Sequence, residues 1–268
     1  MNIVRDVKDK GIFKFDKFLN DKSLKSIDRI LSRYKHLKAT HNSFIYRSQK
    51  NFLLKKIINF KLSNFYDALK LLNLSKKMRL NDISSEILGK KTKLSFIDTY
   101  FSTIQKNKII DWHVDQAYSG KKNVVNFVNP DHAAIKFFVY MTDVFEKNGC
   151  LGYIKGSHKI LYYLKLGIFK GEINYIPYWK LEDLRNVIQN KTYRQYLEGK
   201  IGKEIIDNFL EQTQFINSDP YDTNSFDFYC KKGDALVFDE SGVHRGAEPS
   251  LTNRLVLRFV YKVNDAPD

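Results

Sequence analysis

Lys232-Gly233-Asp234-Ala235-Leu236-Val237-Phe238-Asp239, with His244 five residues on and then Arg254-Leu255-Val256-Leu257-Arg258-Phe259-Val260-Tyr261, is the stretch that decides the fold class. Four apolar residues bounded by a Gly-Asp turn and a second turn read as a short buried strand, too brief for a helix. The run from Arg254 is longer and carries β-branched and aromatic residues, as a strand should. Working upstream, Leu94 to Ile104 reads as a strand, and shorter ones are expected at Ala134 to Thr142, Gly149 to Ile154 and Phe226 to Cys230. Many short strands separated by Gly, Asn, Asp and Pro turns fit a jelly-roll barrel.

The remaining segments read as helices. Asp21 is placed to cap a helix through Leu24, Ile27, Leu31 and Tyr34, and a second helical region is expected from Asn51 to about Leu74 with Phe52, Ile57, Ile58, Phe65 and Leu69 inward. Between His158 and about Asp222 the helical period returns, in Leu181 to Ile188 and Ile205 to Leu210. The expected architecture is mainly β with helices (α+β). It is a double-stranded β-helix (jelly roll, cupin-like) buttressed by N-terminal helices over residues 1–93. The barrel core spans 94–158 and 223–262, with a helical insertion at 159–222. Strands flank the insertion on both sides, so it is no linker, and a single catalytic domain is expected. Its tyrosines and Trp179 suit either a lid over a site or anchors of helices on the barrel.

Against this frame, Asp111-Trp112-His113-Val114-Asp115-Gln116 acquires meaning. Residues two apart on extended backbone point the same way, so His113 and Asp115 form two corners of a ligand face, and the turn after Asp239 delivers His244 as a third. Two imidazoles and one carboxylate are the set that holds non-heme Fe(II) with open positions. The same set also serves a zinc hydrolase, and a noncatalytic basic barrel is a third reading. Trp112 reads as a core residue, His158 as a turn residue ahead of a helix, and His36, His41 and His132 as solvated or structural.

The landmarks then fall into a known order. HxD, Asn148-Gly149-Cys150-Leu151-Gly152-Tyr153-Ile154-Lys155-Gly156-Ser157-His158-Lys159, the Gly233-Asp234 strand with its distal histidine, and a following arginine resemble the phytanoyl-CoA dioxygenase family over roughly residues 94 to 262. The resemblance implies the double-stranded β-helix fold and use of Fe(II), 2-oxoglutarate and O2 to oxidise, by hydroxylation, a small organic substrate, giving succinate and CO2. It implies that His113, Asp115 and His244 bind iron and are the catalytic residues, and that Arg254 grips the far carboxylate of 2-oxoglutarate. Arg258, on the same strand face, is the alternative clamp, and Gln105 is a candidate contact to the cosubstrate. One departure is local: Arg245-Gly246-Ala247 follows His244 where relatives often carry Gly-Ser, so that hydroxyl is missing. Halogenating relatives replace the carboxylate ligand by a small residue, and Asp115 speaks against that activity.

Composition sets wider bounds. At 268 residues and 43% hydrophobic content the chain has ample core material for one domain. Its net charge of +15 is spread along the sequence, a general lysine bias more than a nucleic-acid stripe, and it favours an anionic small-molecule substrate. Cys150 and Cys230 are too few for a disulfide framework, and buried reduced thiols in a cytoplasmic protein are expected. No stretch reaches the ~18 to 20 uninterrupted apolar residues of a membrane helix.

Overall fold

The computed structural model describes residues 3–34, 43–47, 62–104, 110–115, 129–146, 148–216 and 226–264. Among them eight helices and ten strands follow in order: α1 (Ile3–Lys10), β1 (Ile12–Phe15), α2 (Asp21–Leu31), β2 (Ser43–Arg47), α3 (Leu62–Lys77), α4 (Leu80–Leu88), β3 (Thr92–Ser102), β4 (Ile110–His113), β5 (Ala134–Tyr140), β6 (Leu151–Tyr153), α5 (Ser157–Phe169), α6 (Leu181–Gln189), α7 (Lys191–Ile201), α8 (Lys203–Gln212), β7 (Asp227–Phe228), β8 (Ala235–Asp239), β9 (His244–Gly246) and β10 (Arg254–Val263). The strands form a six-stranded sheet, β1-β8-β5-β10-β3-β2, and a four-stranded sheet, β4-β9-β6-β7. Every ladder is antiparallel. This is the expected double-stranded β-helix, with the larger sheet extended at both edges by N-terminal strands.

The alternation of β10 explains the placement of the core. Leu255, Leu257, Phe259 and Tyr261 share one face and pack with Ile97, Ile135, Phe137, Val139 and the N-terminal helices in one apolar cluster. Arg254, Val256 and Arg258 take the other face, towards the space between the sheets. There Leu151, Tyr153, Leu236, Phe238 and Val256 form a second cluster. The insertion carries a third of its own, with Leu161, Leu164, Tyr178, Leu184, Val187 and Leu197, and it reaches Trp112, Val114 and Val243 beside the smaller sheet.

Several N-terminal expectations need correction. The cap of α2 is Asn20, whose side chain accepts from the Ser23 amide at 2.9 Å, and Asp21 is already helical. Phe65 and Leu69, expected inward, are 44% and 39% exposed, and α3 instead buries Asp67, Ala68 and Leu71. The buried face is polar in part because Asp67 pairs with Arg33 and accepts from the Tyr34 hydroxyl. Apolar periodicity cannot locate a face centred on a carboxylate. Segment 1–93 is also more than a helical buttress, since β1 and β2 join the barrel sheet and β3 begins at Thr92. Phe52, Ile57, Ile58, His36 and His41 lie outside the described residues.

One buried cation on α5 gives a pH signature. Burial pushes the Lys165 ammonium down to about 8, against the upward pull of Asp239, Glu240 and Asp115. A lysine whose folded value lies below its ordinary 10.5 is held by the unfolded chain with more protons, so native stability rises between pH 8 and 10.5 and is lower below that window. Lys165→Met should remove this slope, on the order of 2 kcal/mol between pH 7.5 and 9.5. Denaturant unfolding of both proteins at those two pH values checks it, and equal slopes would refute it.

Candidate metal centre

Two short strands of the smaller sheet bring the distant histidines together. In the β4–β9 ladder His113 lies directly opposite His244, so their side chains emerge side by side on one face, with ring centroids 4.6 Å apart. Asp115 follows just past the end of β4. His113, Asp115 and His244 are the one group of metal-ligating side chains found among the described residues, with donor atoms all within 4.8 Å of one another. The Asp115 Oδ1 stands 3.3 Å from the His113 Nε2, and its Oδ2 stands 3.3 Å from the His244 Nε2. Ligands at right angles on a sphere of about 2.1 Å radius are roughly 3.0 Å apart, so the spacing suits adjacent corners of one coordination shell.

The tautomers make the argument chemical. Each imidazole donates from Nδ1 to a backbone carbonyl, His113 to Asp111 at 2.7 Å and His244 to Gly242 at 2.8 Å. In the neutral tautomer that these bonds select, the lone pair lies on Nε2, and both Nε2 atoms face the Asp115 carboxylate. Three electron-pair donors converging in this way fit a metal cation, and carbonyl partners on Nδ1 orient such ligands. Burial disfavours the charge on Asp115, yet the Lys136 ammonium beside it prevails and holds its carboxyl well below the usual range.

A cavity of about 130 Å³ adjoins the three donors, with Tyr100, Phe138, Leu151 and Val256 among its walls and both Arg254 and Arg258 lining it. The two arginines differ in how their charge is met. Arg258 forks onto the Asp98 carboxylate, Nε to Oδ1 at 2.8 Å, and is balanced there. Arg254 donates to neutral oxygens, Gly149 and Ala247 carbonyls at 2.8 and 2.9 Å and the Ser102 hydroxyl at 3.1 Å, and its buried Nε has no acceptor among the described residues. A larger cavity of about 340 Å³, between α1, α4 and α5, includes none of the three donors.

The other candidates sort cleanly. Gln105 lies outside the described residues. His158 sits in the first turn of α5, after a left-handed Gly156, with Nε2 donating to the Lys8 carbonyl at 3.0 Å. It therefore ties the insertion to α1 instead of serving as a turn residue. Trp112 is buried in the core as expected, edge-on to Phe226. The insertion is both anchored and close to the centre: Tyr178 is fully buried, while Trp179, 42% exposed, lies 6.2 Å from the His113 ring. The Trp179 carbonyl accepts from the Val114 amide at 3.0 Å, pinning that segment between the two HxD residues.

Four charged groups around the site escaped the reading of the sequence: Lys136, Glu240, Arg245 and Asp227. Lys136 lies in the middle of β5, ion-paired to Asp115 and Glu240. Arg245 donates from one nitrogen, Nη2, to both buried Asp227 oxygens at 2.7 and 2.9 Å behind the smaller sheet. Gly152 is required there, since a Cβ would come within 2.9 Å of Asp227, Trp112 and Arg245. A lone lysine within Ala134-Ile135-Lys136-Phe137-Phe138-Val139-Tyr140 was the available signal, because a charge inside an otherwise buried strand needs a partner.

Comparison with known proteins agrees with this fold. The family model for phytanoyl-CoA dioxygenase matches residues 7–254. No curated protein matches the chain. Among solved structures, HygX from Streptomyces hygroscopicus with nickel and 2-oxoglutarate bound is similar, with a TM-score of 0.56 and 12% identity, covering 98% of this chain and 86% of that one. EvdO2 from Micromonospora carbonacea var. aurantiaca complexed with 2-oxoglutarate has a TM-score of 0.52 and 13% identity, covering 97% and 89%. The epimerase SnoN, in complex with Fe3+, alpha ketoglutarate and nogalamycin RO, has a TM-score of 0.53 and 11% identity, covering 97% and 82%. At such identities the likeness is one of fold.

Proposed function

We infer the roles of individual residues from the premise that this chain belongs to the phytanoyl-CoA dioxygenase family. It is an Fe(II)- and 2-oxoglutarate-dependent dioxygenase that acts on small molecules, and no described helix is long and apolar enough to cross a membrane. Iron, when bound, supplies the activation of O2 that couples decarboxylation of 2-oxoglutarate to succinate with oxidation of the substrate.

The chain's own part is ligation, orientation and exclusion of water. His113 and His244 offer Nε2, with each ring fixed by its carbonyl partner, and Asp115 offers a carboxylate already ionised by its surroundings. Arg254 takes the far carboxylate of the keto acid, because its partners among the described residues are uncharged, two carbonyls, a hydroxyl and the Tyr100 ring, and its Nε–H has no acceptor among them. A planar guanidinium matches a carboxylate through two parallel bonds. Tyr100, Phe138, Leu151 and Val256 keep the chamber apolar between these polar groups. The observation that carries the reading is the convergence of two imidazole Nε2 atoms on one carboxylate, each at 3.3 Å. The prime substrate is a small organic anion that undergoes hydroxylation, in keeping with the +15 charge. Two buried, unbonded cysteines fit a reducing compartment, the cytoplasm.

Under anaerobic conditions, protein with Fe(II) and 2-oxoglutarate should develop a weak visible charge-transfer band, and admitting O2 should release succinate. Absence of both would refute the assignment. Succinate release stimulated by individual anionic metabolites, with mass analysis of products, identifies the substrate.

A further inference from the structure

Lysine is among the residues least often buried, yet Lys136 is only 9% exposed and lies on the barrel-interior face of β5, opposite Phe238 on β8 and Val260 on β10. Its ammonium bonds the Asp115 Oδ2 and stands 3.2 Å from the Glu240 Oε2. Glu240 is itself buried, and its amide is held by the Ala134 carbonyl at 3.1 Å at the start of the same strand. Apolar residues in place of such a buried pair are often neutral or stabilising, so stability does not account for it.

The consequence falls on the geometry of Asp115. Its two oxygens face different histidines, Oδ1 towards His113 and Oδ2 towards His244, so the bare carboxylate could give both oxygens to one cation. Two-oxygen ligation would consume a position that a keto acid or O2 needs. A charge-assisted bond from an ammonium anchored on Glu240 occupies Oδ2 and leaves Oδ1 to ligate. We propose that Lys136 is a positioning residue that restricts Asp115 to one ligating oxygen and thereby keeps a coordination position free for 2-oxoglutarate. This rests on the functional reading above.

The test separates metal affinity from cosubstrate affinity. Lys136→Met and the double variant Lys136→Met with Glu240→Gln, which avoids stranding a buried carboxylate, are titrated with Co(II) and then with 2-oxoglutarate by calorimetry and visible absorption. Co(II) should bind as tightly as in the wild type or more tightly, while 2-oxoglutarate binds about tenfold or more weakly. Unchanged 2-oxoglutarate affinity would overturn the proposal. So would a parallel fall in Co(II) affinity, the mark of a structural or direct-contact role. A wild type that binds neither ligand would refute the functional reading itself, whereas a wild type that binds both beside unaltered variants refutes only the role of Lys136.

Discussion

His113→Ala should abolish the Fe(II)–2-oxoglutarate visible band and lower metal affinity by at least about 100-fold, because even groups behind a ligand cost 10- to 100-fold when removed. The remaining His244 and Asp115 hold two corners of the shell, and two ligands retain a divalent ion poorly against water. The fold should tolerate the change, since the His113 side chain faces the cavity and belongs to none of the three apolar clusters. Thermal melts with and without Co(II) read this directly: the wild type gains stability by mass action, on the order of 3 kcal/mol at 100 times Kd, and the variant at most about 0.4 kcal/mol at the same concentration. A variant stabilised as much as the wild type would remove His113 from the ligand set.

Arg254→Met should weaken 2-oxoglutarate binding by about 100- to 1000-fold with metal affinity unchanged. Two charge-assisted hydrogen bonds at roughly 1.5–2 kcal/mol each, the lower part of their usual range, account for that loss. Arg254→Lys keeps the charge and loses the fork, so an intermediate loss is expected. Arg258→Met supplies the contrast: it strands the fully buried Asp98 carboxylate and should cost about 3–5 kcal/mol of stability. Isothermal titration of 2-oxoglutarate into the Co(II)-loaded proteins, beside denaturant unfolding, distinguishes them. If Arg258→Met loses cosubstrate affinity selectively and Arg254→Met does not, the clamp is Arg258.

Much of the fold was legible because two signals agreed. The strands β3, β5, β8 and β10 are apolar, β-branched runs bounded by turn residues, and the family landmarks lie in order along them. The insertion's helices α6 and α8 likewise carried their period. The weak elements escaped for reasons of length and partner. Strands β4 and β9 are only four and three residues long, and β1 and β2 are short edge strands, so no periodicity accumulates. The polar face of α3, built on Asp67, cannot be found by apolar spacing at all.

What the sequence determined by itself was chemical identity: which side chains are offered as ligands, in what order, and which residues share a face of β10. Hydrophobic alternation and residue type are local properties, written along the chain. Only the tertiary structure decided how charges are shared, giving Arg258 to Asp98, leaving Arg254 among neutral oxygens and setting Lys136 between Asp115 and Glu240. Those pairings join residues up to 160 positions apart, and Coulomb and hydrogen-bond energies depend on ångström distances that no spacing rule encodes.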